Sequence, residues 1–175
     1  MTPGLRKLAL TVHVTSTVGW LGAITGFLAL AIAGLTSQDA QLVRSAYLAM
    51  EVLGWYVLVP FCMASLTTGL IMSLGTPWGL FRHYWVLVKF AITVVAAIIL
   101  FMYTQTLSSL GDLARDTTLS IDDLQNPSPV LHSGAALLAL LVAVTLSVYK
   151  PRGLTKYGRR KQREERTVLD NVPTC

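Results

Sequence analysis

LALTVHVTSTVGWLGAITGFLALAIAGL, residues 8–35, decides the fold. The stretch contains no Asp, Glu, Lys or Arg, and His13 is its only ionisable side chain. A bilayer core takes about 20 apolar helical residues, so this run crosses with residues to spare. Lipid offers the backbone no hydrogen bonds, so a run this long must satisfy its own and be helical. Ala31-Ile32-Ala33 resembles a small-residue cleavage site. Secretory signals, however, use an apolar region of only about 7–15 residues, and the segment is read as retained.

Three further runs follow. Residues 46–74 form a second span, interrupted by Glu51 and Pro60. Residues 83–103 form a third and carry Lys89. Residues 130–149 form a fourth, between Asn126-Pro127-Ser128-Pro129 and Lys150-Pro151-Arg152-Gly153. Proline- and glycine-rich punctuation of this kind marks helix ends. The expected fold is therefore an all-α membrane protein, a four-helix transmembrane bundle.

Composition agrees. Of 175 residues, 53% are hydrophobic and only 13% charged, and mean hydropathy is +0.58. Soluble domains carry roughly 25% charged residues. A disordered chain, a disulfide scaffold and an ordinary soluble enzyme are excluded. The net charge of +5 suggests nucleic acid until it is located: Lys150 to Cys175 holds eight basic and three acidic residues, and the rest of the chain is neutral. No nucleic-acid partner is expected. Residues 150–175 read as a basic tail without structure, able to meet anionic lipid but more simply a topology anchor. Cys62 reads as a small buried hydrophobe, and with Cys175 it makes no disulfide framework.

Basic residues also set orientation. Four spans put both termini on one side, together with Arg6, Lys7, Arg82 and the tail, so both termini are expected in the cytoplasm. Residues 104–129 then form an acidic extracytoplasmic loop, with Asp112, Asp116, Asp122 and Asp123 against Arg115. Ser120-Ile121-Asp122-Asp123 matches a capping box, although a solvated acidic loop is the simpler expectation. The location is a bacterial cytoplasmic (inner) membrane, entered several times, with the lipid bilayer as partner and a homo-oligomer or larger membrane complex left open.

Ionisable residues at membrane depth are expensive and normally face the bundle interior. A helical rise of about 1.5 Å per residue puts His13 about 9 Å past Lys7, and Lys89 about 9 Å past His83, on the same side. One level thus holds an imidazole and an ammonium. Glu51 enters from the opposite side, about 10 Å past Arg44, with His132 near the same face. His13 reads either as a metal or haem ligand or as a packing histidine. Thr17 and Trp20 share its helix face. Lys89 could meet a carboxylate or a haem propionate, move a proton, or snorkel to the interface. Glu51 reads either as a structural partner of His132 or Arg44 or as a proton or cation site. Gly22-Ala-Ile-Thr-Gly26 is a GxxxG, expected to pack neighbouring helices within the chain.

The run Leu10-Thr-Val-His13-Val-Thr-Ser-Thr-Val-Gly-Trp20-Leu-Gly22 resembles the first-helix pattern of a group of small four-helix membrane proteins. The group includes the HemJ-type protoporphyrinogen oxidases and the CopD-type copper-resistance membrane domain. Trp85-Val-Leu-Val-Lys89-Phe resembles its third-helix element. Gly54-Trp-Tyr-Val-Leu-Val-Pro60 and the run from Gly75 to Trp85 look closest to an uncharacterised branch. The resemblance implies a haem b or porphyrin site with redox activity: His13 as haem-iron ligand, Trp20 lining the pocket, and Lys89 as the catalytic residue. Two other readings stand beside it. One is a non-catalytic accessory membrane subunit with polar residues as interhelical glue. The other is a small transport or copper-handling protein using Glu51 with His132 or His13.

Overall fold

Every apolar run forms a helix. The computed structural model describes residues 2–75, 80–151 and 153–170. Helix α1 spans Pro3–Thr36, α2 Ala40–Leu53, α3 Val59–Gly75, α4 Tyr84–Arg115, α5 Ile121–Leu124, α6 Ser128–Tyr149 and α7 Lys156–Asp170. No strand occurs among the described residues; His83 and Leu154 form one isolated antiparallel bridge. Four helical stretches are long and apolar enough to cross a membrane: Pro3–Thr36, Ala40–Gly75, Tyr84–Arg115 and Ile121–Tyr149. Thr76 to Gly79 and Cys175, read above for motif and framework, lie outside the described residues.

Local signals set the helix ends. Pro3 opens α1 under a Thr2 cap, and Asp39 Oδ1 accepts the Gln41 N–H at 2.9 Å to start α2. Such caps satisfy amide donors that have no partner within the helix. The second span runs unbroken through a π-helical turn at Gly54–Leu58, where Val59 N–H reaches back to Gly54 O. Pro60 follows directly. Its missing N–H and its ring disrupt the ordinary ladder there, and one wide turn accommodates both.

The spans form a ring in which α1 packs on α2, α3 and α6, α2 packs on α4, and α4 closes onto α6. The tightest core lies at the end away from the termini. There Val43, Tyr47 and Met50 of α2 meet Leu107, Leu110 and Ala114 of α4. Large apolar side chains such as Val18, Ile98, Leu138 and Val142 stay exposed on the outward faces. In water such a surface would be a liability; against acyl chains it is the ordinary state.

Four expectations need correction. Helix α4 does not stop at Tyr103 but continues to Arg115. At 32 residues it is about 48 Å long, well beyond a hydrocarbon core of about 30 Å. Leu107, Leu110, Gly111 and Ala114 recur at helical spacing and are buried, which carries the helix on. The acidic loop is thereby shortened, and it contains α5, closed by a capping box between Ser120 and Asp123. The tail from Lys156 is helical rather than unstructured. Thr155 Oγ1 accepts the Gly158 N–H at 3.0 Å as its cap, and Thr155 N–H bonds Arg82 O at 3.1 Å, tying the tail to the turn before α4. Finally, Gly22 and Gly26 are exposed, and a Cβ on either would meet nothing. The close approach on α1 is at Gly19, where a Cβ would lie 2.8 Å from Phe61 Cζ.

Candidate functional site

A polar layer crosses the bundle on the side of the termini. The Thr68 hydroxyl lies 2.6 Å from Ala64 O, to which it donates its one proton, so at 3.0 Å from His13 it can only accept. His13 Nδ1 therefore carries the hydrogen, and Nε2 keeps a lone pair. Thr17 Oγ1 lies 2.7 Å from His13 O and 3.1 Å from Ser65 Oγ, a second tie between α1 and α3. Gly69 makes room for the imidazole: a Cβ there would sit 3.1 Å from His13 Cε1. Lys89 of α4 is half-buried and close enough for its charge to act on His13. Its ammonium makes no hydrogen bond or ion pair among the described residues. The Thr67-Thr68-Gly69 interruption of an apolar helix was a visible signal for this layer that the reading of the sequence passed over.

At the opposite end the expected Glu51–His132 cluster does not form. Glu51 Oε2 pairs with Arg115 Nη2 at 2.7 Å, and Arg115 Nη1 holds Asp112 at 3.0 Å. Gly111 provides the room, since a Cβ there would fall 2.2 Å from Glu51 Oε2. Arg44 does not meet Glu51 either: it donates to the carbonyls of Ala114, Asp116 and Leu119, closing the C-terminus of α4 and the turn beyond it. Both arginines act on helix ends, where cations near terminal carbonyls are favourable. Thr118, through its hydroxyl and its amide, holds the exposed Asp116 carboxyl below the usual range.

A cleft opens between α4 and α6, with α1 behind it. It measures about 900 Å³ and is lined by Ala91, Val95 and Ile99 of α4, Ala135, Ala136 and Ala139 of α6, and Trp20 and Phe27 of α1. Small alanines on α6 keep it open. Polar side chains gather at the end toward α5: Tyr103, Thr104, His132 and Ser133. Thr104 and Ser133 spend their hydroxyl protons on Phe101 O and Pro129 O of their own helices. His132 stacks on Tyr103 with ring centroids 4.3 Å apart, and its Nδ1 lies 2.9 Å from Ser128 O. A carbonyl can only accept, so Nδ1 carries the hydrogen and Nε2 is the ring's open acceptor.

Trp20 lines the cleft, and His13 does not. The imidazole is packed between α1 and α3, its Nδ1 bonded to Thr68. The Trp20 indole is 2% exposed, and its N–H donor has no partner among the described residues. Among the described residues no three His, Cys, Asp or Glu side chains gather to hold a metal. The imidazole thus faces the seam between α1 and α3, and the indole faces the cleft. Compared with known proteins, the chain matches no family model, no curated protein and no solved structure.

Proposed function

We propose that this chain is a four-span protein of a bacterial cytoplasmic membrane, with both termini in the cytoplasm, that takes a lipid-soluble molecule laterally into the α4–α6 cleft. The cleft carries the proposal: about 900 Å³ of almost wholly apolar space between two spans, with α1 as its floor. Ligand sites of this size usually combine an apolar lining with a few placed polar groups. Orientation is supported by Arg6, Lys7, Arg82 and the basic helix α7 at one end, against Asp112, Asp116, Asp122 and Asp123 at the other. Native mass spectrometry of the purified protein tests the reading. Wild type should retain one small amphiphile per chain, and Ala135→Phe, an exposed position whose new ring fills the cleft, should retain none. Equal, ligand-free masses would overturn it.

A second reading has its own observation. The His13–Thr68 and Thr17–Ser65 hydrogen bonds tie α1 to α3, which favours His13 as interhelical glue in a non-catalytic accessory subunit. His13→Gln, which can still hydrogen-bond Thr68, should then retain stability and any activity of the complex it serves.

A further inference from the structure

We infer that the cleft recognises a single-chain amphiphile by its head, with an O–H donor on that head bonded to His132 Nε2 and the apolar tail lying toward Trp20. The inference rests on the lateral-cleft reading and adds to it a direction and a chemical class.

The direction comes from the distribution of polar groups. Tyr103, Thr104, His132 and Ser133 occupy the end toward α5. From Leu100 down to Val88 the α4 wall is apolar, a helical distance of about 18 Å. Tail length and cleft length therefore match for a chain of ordinary acyl size.

The head chemistry comes from His132. Its ring is fixed on two sides, by the stack on Tyr103 and by the Nδ1–H bond to Ser128 O. A hydrogen bond from Nδ1–H to a carbonyl sets the tautomer and leaves Nε2 as an acceptor. Among the described residues nothing pairs with that nitrogen. The neighbouring hydroxyls are already used: Thr104 and Ser133 within their helices, and Tyr103 with Ser128 Oγ at 3.3 Å. The cleft thus presents one open acceptor at one end of an apolar slot. A long-chain alcohol, or a carboxylic acid in its protonated form, satisfies it; a carboxylate, an ester or a hydrocarbon does not.

The test uses the full chain in detergent, with Trp55, Trp78 and Trp85 replaced by Phe so that Trp20 is the sole fluorophore. The probes are 16-doxyl-stearic acid and its methyl ester, which carry the quencher at the tail. At a pH where the acid is protonated, it should quench Trp20 saturably and about tenfold more tightly than the ester, the equivalent of one hydrogen bond of about 1.4 kcal/mol. His132→Phe keeps the stack on Tyr103, and it should weaken acid binding about tenfold while leaving the ester unchanged. Acid and ester binding alike, or His132→Phe binding the acid as wild type does, would overturn the inference. If Ala135→Phe still abolished saturable quenching in that case, the cleft reading itself would stand. If neither probe quenched saturably, or the cleft proved to be filled by a second copy of the chain, both readings would fall.

Discussion

Replacing glycine by alanine inside a helix usually stabilises it by about 1 kcal/mol. Gly111 of α4 should do the reverse. A Cβ at this position would lie 2.2 Å from Glu51 Oε2 and 2.7 Å from Glu51 Cδ. Ordinary contact begins at about 3.4 Å, so the carboxylate must retreat by about 1 Å. That shift breaks the 2.7 Å bond to Arg115 Nη2. Glu51 is mostly buried, its side chain 17% exposed, whereas Arg115 is 53% exposed. A half-exposed pair is worth less than a buried one, and the charge-assisted bond contributes roughly 1–2 kcal/mol. Leaving the carboxylate buried and unpaired adds to the loss. The net expectation is destabilisation by about 1–2 kcal/mol in place of a gain. In a Glu51→Ala background the obstacle is gone, and Gly111→Ala should stabilise by about 0.5–1 kcal/mol. Reversible unfolding in mixed detergent, run as a double-mutant cycle, reads both values. If Gly111→Ala stabilised the wild-type chain, or lost as much stability without Glu51, the close packing of α2 on α4 would be wrong.

Other expectations follow from the same packing. Gly158→Ala places a Cβ 2.3 Å from the Arg82 carbonyl, which as backbone cannot swing aside; α7 should detach, and limited trypsin digestion of the tail should accelerate severalfold. Gly19→Leu should destabilise by roughly 1–3 kcal/mol through overpacking against Phe61, whereas Gly22→Ala, which meets nothing, should stay within about 0.5 kcal/mol. Thr68→Val removes the acceptor for His13 Nδ1 and should cost about 1 kcal/mol; thermal unfolding in detergent checks it. Asp116 has its folded carboxyl held below the ordinary 3.8 by Thr118. Its contribution is therefore present above that value and lost as pH falls through the lower folded one; hydrogen exchange at the Thr118 amide should accelerate only below about pH 4.

The four spans were legible because lipid imposes one demand, long uninterrupted apolar helices, and residues 8–35 meet it outright. The end of α4 was not legible, because after Tyr103 the polar Gln105, Ser108, Ser109 and Asp112 mask the apolar stripe that continues beneath them. Counting charges suggested a loop; the period of Leu107, Leu110 and Ala114 pointed to a helix. The tail misled for a similar reason. Its charge suggested a chain without structure, while Lys, Arg, Gln and Glu are good helix formers and Thr155 supplies a cap. The partner of Glu51 was missed because Arg115 had been assigned to the loop. The cleft was invisible, since Ala135, Ala136 and Ala139 look like any apolar stretch; only three-dimensional packing shows what they leave open.

What fills the cleft decides what the protein does. Alanine-methyl NMR of the protein in deuterated detergent addresses it directly, through intermolecular Overhauser contacts at Ala91, Ala135, Ala136 and Ala139. These methyls should show contacts to the methylene chain of a bound amphiphile retained through purification, and in Ala135→Phe the contacts at the remaining three should disappear. Contacts from the same methyls only to side chains of the protein itself would mean that the spans close on each other, and would contradict the lateral-cleft reading.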